Sequence, residues 1–269
     1  MITVLISSLS LQSCRKDRWS EDDSQTASDN SLADATADDI FKQVDEASTD
    51  GTSSLKADDN QSLNGPCALI THDSSVTPRK VTIDFGTSNC TGNDGKARRG
   101  KIIVTYTGRY RDAGTVINVN TDNYFVNDNK IELSKTITNK GRISGNLTWE
   151  VIVNSAKITL ANNGGTISWS SSKTRTWISG ENSKMLRDNK YQISGNGSGV
   201  NKNGTAYTVN ITTPIIVDFS CAASKLVKGV IEVVPSGKTA RVVDFGNGTC
   251  DDDATITVGK STKNFKLKK

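Results

Sequence analysis

Val81-Thr82-Ile83-Asp84-Phe85-Gly86 closes a stretch in which apolar and polar side chains alternate, and Arg241-Val242-Val243-Asp244-Phe245-Gly246 repeats it far down the chain. In both places a cysteine, Cys90 or Cys250, follows four residues after the glycine. A period of two marks a strand with one buried face. The Asp-Phe-Gly end of each segment reads as a turn: Phe85 and Phe245 enter the core, Asp84 and Asp244 accept hydrogen bonds from turn backbone, and Gly86 and Gly246 take dihedrals closed to other residues. The kinase meaning of Asp-Phe-Gly needs a glycine-rich loop, a strand lysine and a His-Arg-Asp segment. None of these accompanies it.

Working outward, Lys101-Ile102-Ile103-Val104-Thr105-Tyr106-Thr107 is a second strong strand. Further strands are predicted at 114–120, 130–139, 146–153, 157–160, 166–178, 190–195, 205–213, 215–219, 227–234, 239–245, 255–258 and 264–267. The gaps between them fit hairpins and leave little room for helical crossovers. The expected fold is therefore all-β and antiparallel, sandwich-like, with a short helical or disordered N-terminal segment. Abundant Ser, Thr, Asn and Gly with only four prolines suits this class.

The net charge of +4 conceals two opposite portions. Residues 15–60 carry 13 acidic and 5 basic residues, a balance of −8, whereas 28 basic and 16 acidic residues from Gln61 onward give +12. The basic part has the charge to attract anionic polymers, or the acidic leader itself. No helix-turn-helix, zinc-finger or RNP-like pattern appears, so sequence-specific nucleic-acid binding is not expected. The division proposed is 1–13 as a signal segment, 14–64 as an acidic tether with room for a short helix capped by Ser31 and running from Leu32 to about Glu46, and 65–269 as the β-rich body, with two related half-units.

Four of the five cysteines, Cys67, Cys90, Cys221 and Cys250, fall in the body. They permit three disulfide connectivities, and the local one, Cys67 with Cys90 and Cys221 with Cys250, is preferred. A zinc site lacks a Cys-x-x-Cys knuckle and has one histidine in the whole chain, His72. Disulfides imply an oxidising compartment. Cys14 stands apart. Leu11-Gln12-Ser13-Cys14 resembles a bacterial lipobox, which implies acylation of Cys14 and a lipid bilayer as partner.

No catalytic residue is assigned, and an enzyme is not expected. His72 lacks a nucleophile elbow, because Ser198 in Gly195-Asn196-Gly197-Ser198-Gly199 sits one place late, and that stretch reads as a flexible connection between strands. Glu132, Glu150, Glu181, Asp188 and Glu232 are the carboxylates from which a glycosidase pair would be drawn. Asn93-Asp94 and Asp251-Asp252-Asp253 offer hard oxygens, which makes calcium the one cofactor kept in view. Trp169 and Trp177, eight residues apart, share one face of a strand with Arg175 between them. They are the candidate ligand-binding residues, either as a ring platform for a glycan or as core.

Thr166-Ile167-Ser168-Trp169-Ser170, Thr174-Arg175-Thr176-Trp177, Tyr191-Gln192-Ile193-Ser194-Gly195 and Ile211-Thr212-Thr213-Pro214 complete a likeness that begins with the Cys67 strand block and the two Asp-Phe-Gly segments. Over nearly all of 67–267 the chain resembles uncharacterised exported lipoproteins of Bacteroidota. The resemblance implies a cell-envelope address, at the outer membrane and lipid-anchored, and no particular activity. The expected role is noncatalytic structural or adhesive binding to an envelope protein or glycan, followed by carbohydrate capture and then glycoside hydrolysis.

Overall fold

The computed structural model describes residues 21–47, 67–183, 185–221 and 226–267. Cys14 and the lipobox-like segment lie outside them. Helix α1 (Glu21–Ala47) is followed by β1 (Leu69–Asp73), β2 (Arg79–Asp84), β3 (Cys90–Thr91), β4 (Ala97–Tyr106), β5 (Val116–Val126), β6 (Asn129–Ile143) and β7 (Asn146–Thr159). Then come β8 (Thr166–Ser179), β9 (Lys190–Val200), β10 (Ala206–Asp218), β11 (Leu226–Pro235), β12 (Arg241–Asn247), β13 (Asp253–Val258) and β14 (Ser261–Lys266). The fold is all-β and antiparallel. Among the described residues the strands form one 14-stranded sheet in chain order, with the two-residue β3 attached to β4 alone.

This meander follows from the turns. Asn127 and Asp128, at φ of 49° and 63°, close the β5–β6 hairpin. Ser144 and Gly145, at 51° and 86°, close β6–β7. Such left-handed pairs match the twist of the strands they join. Two pairs of expected strands merge into single long ones. β7 runs through an irregularity between Val153 and Ala156 in its pairing with β8, and β10 through one between Asn210 and Ile215 in its pairing with β9. Each irregularity breaks the alternation that delimits a strand in sequence.

The Asp-Phe-Gly echo occupies corresponding places near the two ends of the sheet, at the ends of β2 and within β12. Gly86 N donates to Asp84 Oδ1 and Gly246 N to Asp244 Oδ1, both at 2.9 Å. The glycines have φ of 76° and 94°, and Phe85 and Phe245 are each buried. Beside them Cys67 is bonded to Cys90 and Cys221 to Cys250, with Cα separations of 5.5 and 5.0 Å.

The N-terminal segment departs from the expectation. α1 is 27 residues long and begins ten residues before Ser31. Ser31 is no cap: its hydroxyl donates back to the Ala27 carbonyl at 2.9 Å, inside the helix. Nor is the helix a tether. Of its residues from Ser24 on, only Ser24 and Ala35 are exposed. Asp39, Ile40, Phe41, Gln43 and Val44 are all buried. At 100° per residue those five positions span about 200° of the axis, and Asp38 and Lys42 on the remaining side are half-buried, so protein covers most of this turn. Its neighbours come from β4, β6, β8, β11 and β12, which means that the sheet curls around the helix, and the sandwich-like layering is made by one sheet.

Candidate functional site

Alternation along β8 directs Lys173, Arg175 and Trp177 inward and Ser168, Ser170, Ser172, Thr174 and Thr176 outward. The inner row meets α1. Lys173 Nζ pairs with Asp34 Oδ1 at 2.5 Å, and Arg175 Nη1 pairs with Asp38 Oδ1. On β4, Arg98 is 1% exposed. Its Nη2 lies 2.9 Å from Asp39 Oδ1 and 2.6 Å from Asp94 Oδ2. Lys96 Nζ reaches the same Asp39 oxygen at 2.8 Å. On β6, the ammonium of Lys135 donates to the Ala37 carbonyl at 2.9 Å. Near the start of the helix, Asn201 Nδ2 donates to Thr26 Oγ1 and the Lys202 amide to Asp29 Oδ2.

The charge split in the sequence is thus a contact in the fold: an acidic helix lies in a basic interior. Burial raises the Asp38 pKa, but Lys42 and Arg175 outweigh it and hold the carboxyl well below the usual range. Burial lowers the Lys135 pKa to about 7, and Asp38 offsets only part of that. Tyr124 is pushed far up, first by burial and then by Asp39.

An aromatic ladder closes the interior around the end of the helix. Tyr110, Trp149, Trp177, Tyr191 and Phe219 follow one another at centroid separations of 5.6 to 6.4 Å. The Arg175 guanidinium lies 4.0 Å from the Tyr191 centroid and 4.2 Å from that of Phe41, close enough for a cation–π contact with both. These positions correct the reading of Trp169, Arg175 and Trp177 as an exposed platform. They are 6%, 4% and 4% exposed. Trp169 and Trp177 do share a face, but it is the covered one, and Arg175 binds a helix carboxylate.

The opposite face carries the open feature. Gly195-Asn196-Gly197-Ser198-Gly199 lies inside β9, in the middle of the sheet, and is no flexible connection. A Cβ on Gly197 would meet Ser171 and Val209 on the inner side, which leaves Asn196 and Ser198 facing out. Strand register then builds two outer rungs: Ile152, Ser172, Asn196, Asn210 and Glu232, and beside it Ser170, Ser198, Thr208 and Val234, with Asn154 next to the second rung at the irregularity of β7. Their short side chains line two adjoining open depressions of about 770 and 680 Å³.

The remaining candidates are dispersed. Glu132 pairs with Lys157, Glu150 with Lys140 and Glu181 with Arg142, Asp188 accepts from the Ser183 hydroxyl, and Glu232 borders the outer rungs. His72 is exposed on the edge strand β1. The acidic loops are engaged by the chain itself. Asp252 and Asp253 each lie 2.7 Å from Lys266 Nζ, Asp251 accepts from the Asp253 amide, and Asp94 holds Arg98. Among the described residues no group of three or more His, Cys, Asp or Glu side chains is arranged to hold a metal ion. No helix among them is long and apolar enough to cross a membrane.

Sequence reasoning missed Asp34, Asp38, Asp39, Lys96, Arg98, Lys135 and Lys173 as individual partners. The signal available was the opposed charge of leader and body. Compared with protein-family models, curated proteins and solved structures, the chain matches none.

Proposed function

We propose that this chain is a noncatalytic structural or adhesive protein of the bacterial cell envelope, working outside the cytoplasm and held to a membrane through acylated Cys14. The observation that carries the reading is where the charged groups with the most perturbed environments lie. Asp38, Arg98, Lys135 and Arg175 all join α1 to the sheet: Asp38 pairs with Arg175, Arg98 with Asp39, and Lys135 with the helix backbone at Ala37. Groups poised for chemistry would face an open cleft. The two disulfides belong to an oxidising compartment and support the extracytoplasmic address. Mass spectrometry of protein taken from its native envelope tests the anchor: acylated Cys14 at a new N-terminus is expected, and an unmodified Cys14 preceded by Met1 overturns it.

A second reading, carbohydrate capture, is favoured by the outer rungs. Hydroxyl and amide side chains across four strands, β7 to β10, match the hydrogen-bonding needs of a polyhydroxylated chain, and they replace Trp169 and Trp177 as its contact residues. A glycan array comparing the wild type with Ser170→Trp and Asn210→Trp decides between the readings. Glycan capture lost in both variants selects the carbohydrate reading. An unresponsive array, with one envelope protein recovered by crosslinking in the native membrane, selects adhesion.

A further inference from the structure

We infer that the sheet interior is a receptor for an acidic helix, and that α1 of a second copy of this chain can occupy it, giving a helix-exchanged dimer. The inference goes beyond the structural role proposed above and does not require the membrane anchor.

The ligand chemistry is defined by the helix that the interior already holds. Asp34, Asp38 and Asp39 fall on Lys173, Arg175, Lys96 and Arg98. A core built only for stability has little use for this arrangement, since buried ion pairs seldom outperform apolar packing of equal volume. What they supply is discrimination of one helix, in one register, from others. The seat even carries polar cost: both Gln43 amide atoms, Arg98 Nε, and Arg175 Nε and Nη2 are buried without hydrogen-bond partners among the described residues.

α1 adds no strand to the sheet, and side chains make most of its described polar contacts with the body. Cys67–Cys90 secures the first residues of the body, so the sheet's end stays clipped with the helix in or out. Residues 48–66 separate α1 from that clip. At about 3.3 Å per residue a chain of that length reaches roughly 60 Å, beyond the helix's own length of roughly 40 Å.

Lys173 and Asp34 make the test direct. Full chains with natural isotopes and with uniform nitrogen-15 are mixed, unfolded with disulfides intact, refolded together at high concentration and treated with a carbodiimide, which couples the Asp34 carboxylate to the Lys173 amine. Asp34–Lys173 cross-linked peptides of mixed isotope content, concentrated in a dimer fraction, are expected. Cross-links with both halves always of one isotope, in every fraction, overturn the inference. Charge reversal gives an independent measurement. A chain with Asp34→Lys and Asp38→Lys is mixed with a chain carrying Lys173→Asp and Arg175→Asp. Exchange matches both seats, so the mixture should yield a one-to-one dimer with a higher Tm than either variant alone. Two unassociated species with unchanged Tm values contradict it.

Discussion

Arg175 and Asp38, 137 residues apart in sequence, meet where β8 faces α1, with Arg175 Nη1 donating to Asp38 Oδ1. The guanidinium is also held between the Phe41 and Tyr191 rings. Arg175→Ala therefore removes a charge partner and vacates a packed space together. Loss of one member of a buried pair costs about 3–5 kcal/mol, and urea unfolding should show a decrease of that order. Arg175→Lys keeps the charge but not the planar stacking surface, and should fall between.

Lys135 gives the fold a pH dependence with a defined sign. Its pKa in the folded chain is about 7, against 10.5 for an ordinary lysine, with burial as the main cause. Between those values the unfolded chain binds more protons, so stability rises with pH across that window. Below about pH 7 the residue is charged in both states, and the cost of burying that charge is at its fullest. Lys135→Met should flatten this rise and unfold at higher urea than the wild type at pH 6. Urea midpoints for both proteins at pH 6 and pH 9 check the sign.

The glycines of β9 set how closely the sheet packs on its inner side. A Cβ on Gly199 would lie 2.7 Å from the Tyr207 hydroxyl and 2.8 Å from the ring carbon that bears it, and would also strike the Ser168 carbonyl. Gly199→Ala should cost about 1–3 kcal/mol through overpacking. Gly204→Ala puts its Cβ in open space, though at a φ of 81°, and is the control for backbone strain without a clash. Thermal unfolding of the two variants separates the effects.

Most strands were legible in the sequence because one face of the sheet packs inward and the other meets water, which imposes a period of two. The turn at Asp84-Phe85-Gly86 was legible for a similar reason, since every group in it has one role. Two things were not legible. Alternation puts Trp169 and Trp177 on a common face, but it does not say whether that face is covered, and what covers it is a helix from another part of the chain. The helix was underread because partners on most sides let polar and apolar residues alike be buried, which erases the stripe of a surface helix. Asp34 and Asp38 look like solvated residues until Lys173 and Arg175 are placed opposite them.

The disulfides close loops of 23 and 29 residues. In the loop-entropy account each contributes about 3–4 kcal/mol. Replacing Cys221 and Cys250 by serine should lower stability by up to that amount, and a reducing agent should then lower it further through Cys67 and Cys90. Urea curves with and without reductant give both steps.

The buried tryptophans predict stability effects where an exposed platform would give binding effects. Trp177→Ala opens the ladder between Trp149 and Tyr191 and should cost about 3–5 kcal/mol. Trp169→Ala should also destabilise. Denaturation curves, read beside the glycan array, separate loss of fold from loss of ligand.

The central claim is that helix α1, the described part of the acidic leader, lies in the core of the sheet. Amide hydrogen exchange on the full-length, oxidised protein tests it most directly, because a surrounded helix can exchange only when the sheet around it opens. The amides of Asp39 to Val44 should be protected as long as those of β6, β7 and β8. Exchange of that helical segment at the rate of an unstructured peptide, while the sheet remains protected, would contradict the account.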